Sequence, residues 1–354
     1  MTRYCTLILL FAMIFTFSGK KKVVVAPVSS WEEVTNLSLN STVNRILPAG
    51  NELLIATVDN LVRLDTNESI IERRELDVEK GVFGKPILSE HIFARVLKNY
   101  DNERELQFHL TRSINQVYKI TEQEMADSAE FVIFEELDNA TATGAFNDDG
   151  SQFLYVARSL SPQANRYSFF LFDIQLNSSK SQFQSVALNS RVDVPPTLMG
   201  SEADLLTNVR YLQGNFYITS LGGAFRVQPD GAWNQFFTHW VWDIFEENGD
   251  LFTTGFYENQ FYVSEDNGVN WAFANVETPL KKVTVTGDKV FSQVNLGHPF
   301  DLSADDFTSV QTIAYNSNFF QDWPTAYQAI QFFNGKYYLS VHKRLFTTDE
   351  IVLE

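Results

Sequence analysis

From about residue 40 to the end of the chain one pattern recurs. A short strand runs into a turn of Gly, Asn or Asp, an aliphatic or aromatic strand follows, and a loop leads to a further strand. The clearest copies are Phe146 with Phe153–Ala157 and Phe169–Asp173, Val209–Leu212 with Phe216–Thr219 and Ala224–Val227, and Ala329–Phe333 with Lys336–Val341 and Leu345–Thr347. Further copies begin at Val43, Trp242 and Val283, and a vaguer one holds Ile92–Val96 and Leu106–Leu110. The middles of the second strands are Leu54, Phe93, Leu154, Tyr217, Phe252, Phe291 and Tyr338. Their intervals are mostly those of a four-stranded antiparallel sheet, which takes roughly 40 to 50 residues, and the two longer ones leave room for inserted loops. Seven such units are expected, with six or eight as the alternatives. Helical periodicity is confined to a short acidic segment, Glu122 to Glu130.

The most specific stretch is residues 264–271, Ser-Glu-Asp-Asn-Gly-Val-Asn-Trp. Phe261-Tyr262-Val263 reads as a strand, and Asp266-Asn267-Gly268 as a tight turn in which Asp bonds its own backbone and Gly accepts positive φ. Val269 to Ala274 reads as the next strand, with Trp271 folding back over the hairpin. Ser264, Asp266, Gly268 and Trp271 fit S-x-D-x-G-x-x-W, so the segment resembles the Asp box, or BNR repeat, of β-propellers. Leu54 to Asp65 is similar to the blade repeat of propellers in two-component regulators, with Asn60 where that family usually has Gly. The resemblance implies an all-β propeller of four-stranded antiparallel blades, closed by an N-terminal strand that Val23–Val28 or Trp31–Leu37 would supply. It indicates a fold and not an activity.

With 31 Phe and 13 Tyr among 354 residues, the chain can fill a large β-rich core. Its formal charge of −17 argues against non-specific nucleic-acid binding and against docking on an anionic membrane. The one cysteine, Cys5, lies in the N-terminal apolar run, which leaves the rest of the chain without thiol chemistry or disulfides. Arg3 followed by Leu7–Phe17 reads as a signal peptide, too short to span a bilayer. The expected organisation is a signal peptide over 1–19, a short tether over 20–30 and one propeller over 31–354, exported to the periplasm or the extracellular space. Phe17-Ser18-Gly19 resembles the end of a lipoprotein lipobox, but Lys20 stands where the acylated cysteine belongs, so outer-membrane anchoring is the weaker alternative.

In a propeller, loops joining one blade to the next share a face with the loops between second and third strands. That rule gathers Trp240, Tyr257, Glu258, His298, Trp323, Tyr327 and His342 on one rim, with Phe237, His239, Phe319 and Phe320 close in sequence. Aromatics among acids and amides suit a sugar ring or a peptide. Of Trp240 and Trp242, at most one is expected to meet a ligand. Asp148-Asp149-Gly150 and Asp305-Asp306 could touch calcium, but ordinary hairpin turns explain them better, and no cofactor is expected. Sialidases share the Asp box and carry an Arg-Ile-Pro motif. Here Leu47 interrupts that motif in Arg45-Ile46-Leu47-Pro48, and Arg210, Tyr257 and Glu258 could be fitted to the remaining roles although nothing in the sequence demands it. Nucleophile-elbow, P-loop and HExxH motifs are absent from the sequence. The expectation is a non-catalytic module binding a glycan or protein, with a glycoside hydrolase or an assembly scaffold as alternatives.

Overall fold

A computed structural model describes residues 29–76, 81–83, 85–99, 101, 103–113, 116–125, 131–133, 142–160, 165–194, 206–255, 261–274, 280, 282–293, 301–303, 310–313 and 329–352. Burial along the second strand of each unit decides how they assemble. Glu52–Thr57, Asn215–Ser220 and Lys336–Val341 are buried at every position after the first. A strand with one wet face would alternate between buried and exposed. These strands therefore lie in sheets covered on both sides.

The described strands pair antiparallel into seven sheets. In chain order, the first holds Val43–Ala49, Glu52–Thr57, Asn60–Leu64 and Ile70–Glu75, and the fourth Leu206–Leu212, Asn215–Ser220, Gly223–Val227 and Trp233–Phe237. The fifth holds Val241–Glu247, Asp250–Gly255, Phe261–Ser264 and Ala272–Ala274, and the sixth begins at Lys282–Thr286. The second and third, centred on Ile92–Asn99 and Gln152–Leu160, have five strands each. In the seventh, Ala329–Phe333, Lys336–Val341 and Arg344–Thr348 are joined by Glu32–Glu33 from the other end of the chain, with Glu32 opposite Thr347 and Glu33 opposite Phe346. Around that junction Val34 N donates to Leu345 O at 2.9 Å, and Val352 N to Ser29 Oγ at 2.8 Å.

The strands beginning at Val43, Ile87, Gly144, Leu206, Val241, Lys282 and Ala329 each touch the next, and the last touches the first. The molecule is an all-β propeller built from four-stranded antiparallel blades. Its apolar clusters lie between neighbouring sheets. Ile92, Phe108, Phe153 and Phe172 join the second to the third; Leu154, Phe169, Phe216 and Phe225 join the third to the fourth; Ile55, Val62, Tyr338 and Leu345 join the first to the seventh. Phe108 meets Phe153 edge-on with centroids 5.2 Å apart. Each such phenylalanine contributes about 1.5–3 kcal/mol by leaving water.

Three hairpins between first and second strands turn on Gln213-Gly214, Asn248-Gly249 and Asn334-Gly335, all six residues with positive φ. Two-residue turns of this hand match the right-handed strand twist, which is why the sequence spends Gly and Asn there. The acidic segment is helical only over Glu122–Met125, and 126–130 lie outside the described residues.

Between the first and second sheets lies a buried polar group. Gln107 Oε1 accepts from Arg95 Nε and from His109 Nε2, each at 3.1 Å. Arg74 Nη1 donates to Leu110 O at 2.6 Å, and the His109 ring packs edge-on against Phe93. Burial first, and then the charges of Arg95, Arg74 and Lys119, push the His109 pKa down to about 3. The folded protein thus holds His109 neutral, whereas the unfolded chain protonates it below about 6.5. The stability this confers is complete above the unfolded value and is lost as pH falls from about 6.5 toward 3. His109→Gln should flatten the fall in melting temperature across that window relative to the natural chain; identical acid limbs in a pH series of thermal melts would contradict this.

Candidate functional site

Of the connections expected to form the binding rim, those at Trp240 and His342 lie on one face of the ring, and the Asp266 turn, between third and fourth strands, lies on the other. On the rim face Trp240 is 37% exposed just before the strand that starts at Val241, while Trp242 is half-buried within that strand. His342 lies in the turn between Val341 and Arg344 with φ 52°, and its carbonyl accepts from Val43 N at 2.8 Å. His342 therefore helps join the seventh sheet to the first, and the sixth sheet separates it from Trp240. Phe237 is buried at the end of the fourth sheet, packed at tilted angles against His239, Tyr262 and Trp271, which makes it a packing residue. Tyr257, Glu258, His298, Phe319, Phe320, Trp323 and Tyr327 lie outside the described residues.

The 264–271 hairpin is built by its own side chains. Ser264 Oγ donates to Asp266 Oδ1 at 2.9 Å and accepts from Gly268 N at 2.9 Å. Asp266 Oδ1 also accepts from Val269 N at 3.2 Å and Asn270 N at 2.7 Å, and Oδ2 from Asn270 Nδ2 at 2.6 Å. The bonds from Asn270, chiefly from its backbone, hold the Asp266 carboxyl below the usual range. They also keep 269–271 in the turn, so the following strand starts at Ala272 and not at Val269 as the sequence suggested. Trp271 Nε1 donates to Gly268 O at 3.2 Å, and its ring stacks on Phe236 at 5.2 Å. Tyr217 of the fourth sheet donates to Asn267 O at 3.2 Å. The hairpin thus clamps two neighbouring sheets. Asp149, in the Asp148-Asp149-Gly150 turn, accepts from Ser151 N at 2.9 Å. Among the described residues no group of three His, Cys, Asp or Glu is placed to hold a metal; 305 and 306 lie outside them.

Inside the ring is a cavity of about 260 Å³ lined from six sheets, including Arg45, Asn208, Arg210, Lys282 and Gln331. Asp243, 1% exposed, is the hub beside it. Its Oδ1 accepts from Asn208 Nδ2 at 2.7 Å, Arg210 Nε at 2.9 Å and Ile244 N at 2.8 Å. Its Oδ2 accepts from Arg210 Nη2 at 2.7 Å and Val283 N at 2.9 Å. One carboxylate thereby ties the fourth, fifth and sixth sheets together at the axis. Arg210 Nη2 also donates to Val283 O. Burial, and then Arg210, lower the Arg45 pKa to about 10. Burial, then Arg45 and Lys85, bring Lys282 down to about 7, against the opposing pull of Asp243.

Of this cluster, Arg210 was noticed in the sequence only as a poor match to a catalytic set, and Asp243 and Lys282 were missed. A signal existed. Arg45-Ile46, Asn208-Val209, Asp243-Ile244 and Lys282-Val283 each put a polar residue before a β-branched one in a first strand. In three of these strands the register shifts at that residue, at Val43/Arg45, Leu206/Asn208 and Val241/Asp243. Such bulges re-aim a side chain.

No protein-family model and no curated protein matches the chain. Its fold is similar to that of the β-propeller domain of the Trilobed protease from Pyrococcus furiosus, at 12% identity and TM-score 0.52, covering 88% of this chain and 97% of that one. It is also similar to the extracellular domain of a putative one component system from B. thetaiotaomicron, at 10% identity and TM-score 0.54, covering 90% of this chain and 40% of that one. Pyrococcus horikoshii acylaminoacyl peptidase aligns at 8% identity and TM-score 0.51, covering 91% and 53%. At these identities the likeness is one of fold, and it makes the chain a β-propeller protein.

Two stability predictions follow from these contacts. Asp243→Ala leaves Arg210 and two backbone N–H groups without their acceptor and should cost about 3–5 kcal/mol in denaturant unfolding; a loss under 1 kcal/mol would deny the hub its role. In Gly268→Ala the new Cβ would lie 2.7 Å from Tyr217 Oη at a φ of 76°. We expect a loss of about 1–3 kcal/mol, partly relieved when Tyr217→Phe is added. Simple additivity of the two would mean that they do not meet.

Proposed function

We propose that this chain is an exported, non-catalytic binding module that grips a glycan or a protein at the face of its ring carrying Trp240 and His342. The observation behind the reading is Trp240, a large aromatic 37% exposed in the connection between the fourth and fifth sheets. A partly exposed indole is suited to stacking on a sugar or an apolar side chain. Tyr257, Glu258, His298, Trp323 and Tyr327 would complete that rim through their loops. Export rests on the charged and apolar N-terminal stretch, and the extracellular placement of the similar B. thetaiotaomicron domain agrees with it. In this reading residues 31–354 form one domain, each of the seven sheets is a blade, Glu32–Glu33 closes the ring, and 264–271 is an Asp box serving structure.

The test is a glycan array together with a panel of chromogenic glycosides, both probed with the chain from about residue 23 on. Binding without turnover, lost at least tenfold in Trp240→Ala and Trp323→Ala with unchanged melting temperatures, supports the reading. Turnover of any glycoside overturns it in favour of a hydrolase. Silence in both assays removes the glycan arm and leaves the protein-ligand arm, checked by crosslinking at position 240.

A further inference from the structure

The outermost strands of the sheets are unequal. Ile70–Glu75 has six residues, Val117–Thr121 and Trp233–Phe237 have five each, and Ala272–Ala274 and Val310–Thr312 three each. In the third sheet the outermost strand, Phe183–Val194, has 12. Proteins keep such edges short or charged, because an unpaired row of N–H and C=O groups recruits another strand. Ile70–Glu75 obeys that rule with four charged residues. Phe183-Gln184-Ser185-Val186-Ala187-Leu188 does not, having no charge, no proline and no glycine. Bulges at Gln184 and Asn189 enclose residues 185–188, which pair in regular register with residues 172–175. On its other side this stretch pairs with no strand among the described residues. Beyond Asn189 the strand is engaged, since Arg191 Nη1 donates to Met125 O at 3.3 Å and Arg191 Nε to Asp193 Oδ1 at 2.9 Å.

The open stretch also carries an apolar ledge. Val186 lies opposite Ile174 and Leu188 opposite Phe172, so both side chains point toward the second sheet, against which Ile174 and Phe172 pack. Val186 is buried, but Leu188 is 45% exposed. Across the cleft Tyr118, on the outermost strand of the second sheet, is 37% exposed, and its ring lies 6.4 Å from that of Phe183. An open backbone edge beside apolar side chains matches a ligand that has both, which is an extended peptide.

We propose that residues 185–188 are a docking edge for an extended segment of a partner protein, which adds to the third sheet as a further strand and lays an apolar side chain over Leu188 and Tyr118. Added strands gain affinity from main-chain hydrogen bonds and selectivity from alternate side chains. The occupant is a foreign strand, neutral or basic. A second copy is disfavoured because each copy would bring a charge of −17 to the contact. The two bulges confine the ladder to one short register. This edge belongs to the third sheet, whereas Trp240 lies between the fourth and fifth, so the proposal goes beyond the rim reading and does not rest on it.

The experiment uses the intact protein and a blocked, fluorescently labelled peptide, Lys-Val-Thr-Val-Thr-Val-Lys, as the probe. Its anisotropy should rise to saturation, and amide hydrogen exchange of residues 185–188 should slow in the bound protein. A copy N-methylated at every valine and threonine keeps the side chains but cannot form the ladder, and should lose binding. Leu188→Lys puts a charge on the edge and should weaken the peptide at least about tenfold, with an unchanged melting temperature. Ile71→Lys adds the same charge at a site 48% exposed on the outermost strand of the first sheet, and should have no such effect. Trp240→Ala should also leave peptide binding unchanged, which separates this edge from the rim. If Leu188→Lys does not fold, hydrogen exchange in the natural chain decides. Binding that survives N-methylation or Leu188→Lys, protection confined to other strands, or no saturable binding would each overturn the proposal. Dimerisation in sedimentation that Leu188→Lys abolishes would give the edge to a second copy and overturn the foreign strand.

Discussion

A sheet whose two faces are both apolar has no side to give to water, and this fold follows from that condition. Glu52–Thr57, Asn215–Ser220 and Lys336–Val341 are buried on both faces. A pair of such sheets would leave two outer faces exposed, and a stack would leave the same two. Only a closed circle covers every face. The clusters of phenylalanine and aliphatic side chains between successive sheets are the contacts of that circle, and the one joining the first sheet to the seventh is built like the others.

Closing a circle forces the first strands together around an axis, where there is little room for large side chains and each first strand is an edge of its sheet. The chain meets this partly with charge. Asp243 takes five hydrogen bonds from residues of three sheets, which makes a buried carboxylate tolerable because every lone pair is used. The bulges beside Arg45, Asn208 and Asp243 place these groups at the axis. One group of charges thus sits where the sheets converge, and a second, around His109, between the first and second sheets.

Much of the fold was legible because its signals are local. Asn248-Gly249 and Asn334-Gly335 announce two-residue turns by composition alone, and uninterrupted runs such as Leu53-Leu54-Ile55-Ala56 announce strands with no wet face. The Asp266 turn was legible for the same reason, since its hydrogen bonds span at most four residues. Its exact exit was not, because Asp266 holds two further backbone N–H groups that propensity alone assigns to a strand. The axial cluster joins Arg45, Arg210, Asp243 and Lys282, residues far apart in the chain, and only the ring brings them together. His109 was equally silent, as nothing nearby in the sequence reveals that Arg95, Gln107 and Arg74 surround it.

The pairing of Glu32–Glu33 with Arg344–Thr348 sets an order on assembly in time. The first sheet can fold as soon as its hairpins exist, but the face formed by Ile46, Ile55 and Val62 waits for Phe333, Tyr338 and Leu345. A chain emerging from its N-terminus must therefore carry an uncovered apolar face until residues 333–345 appear. That interval is when a second copy could lay its own seventh sheet in the gap.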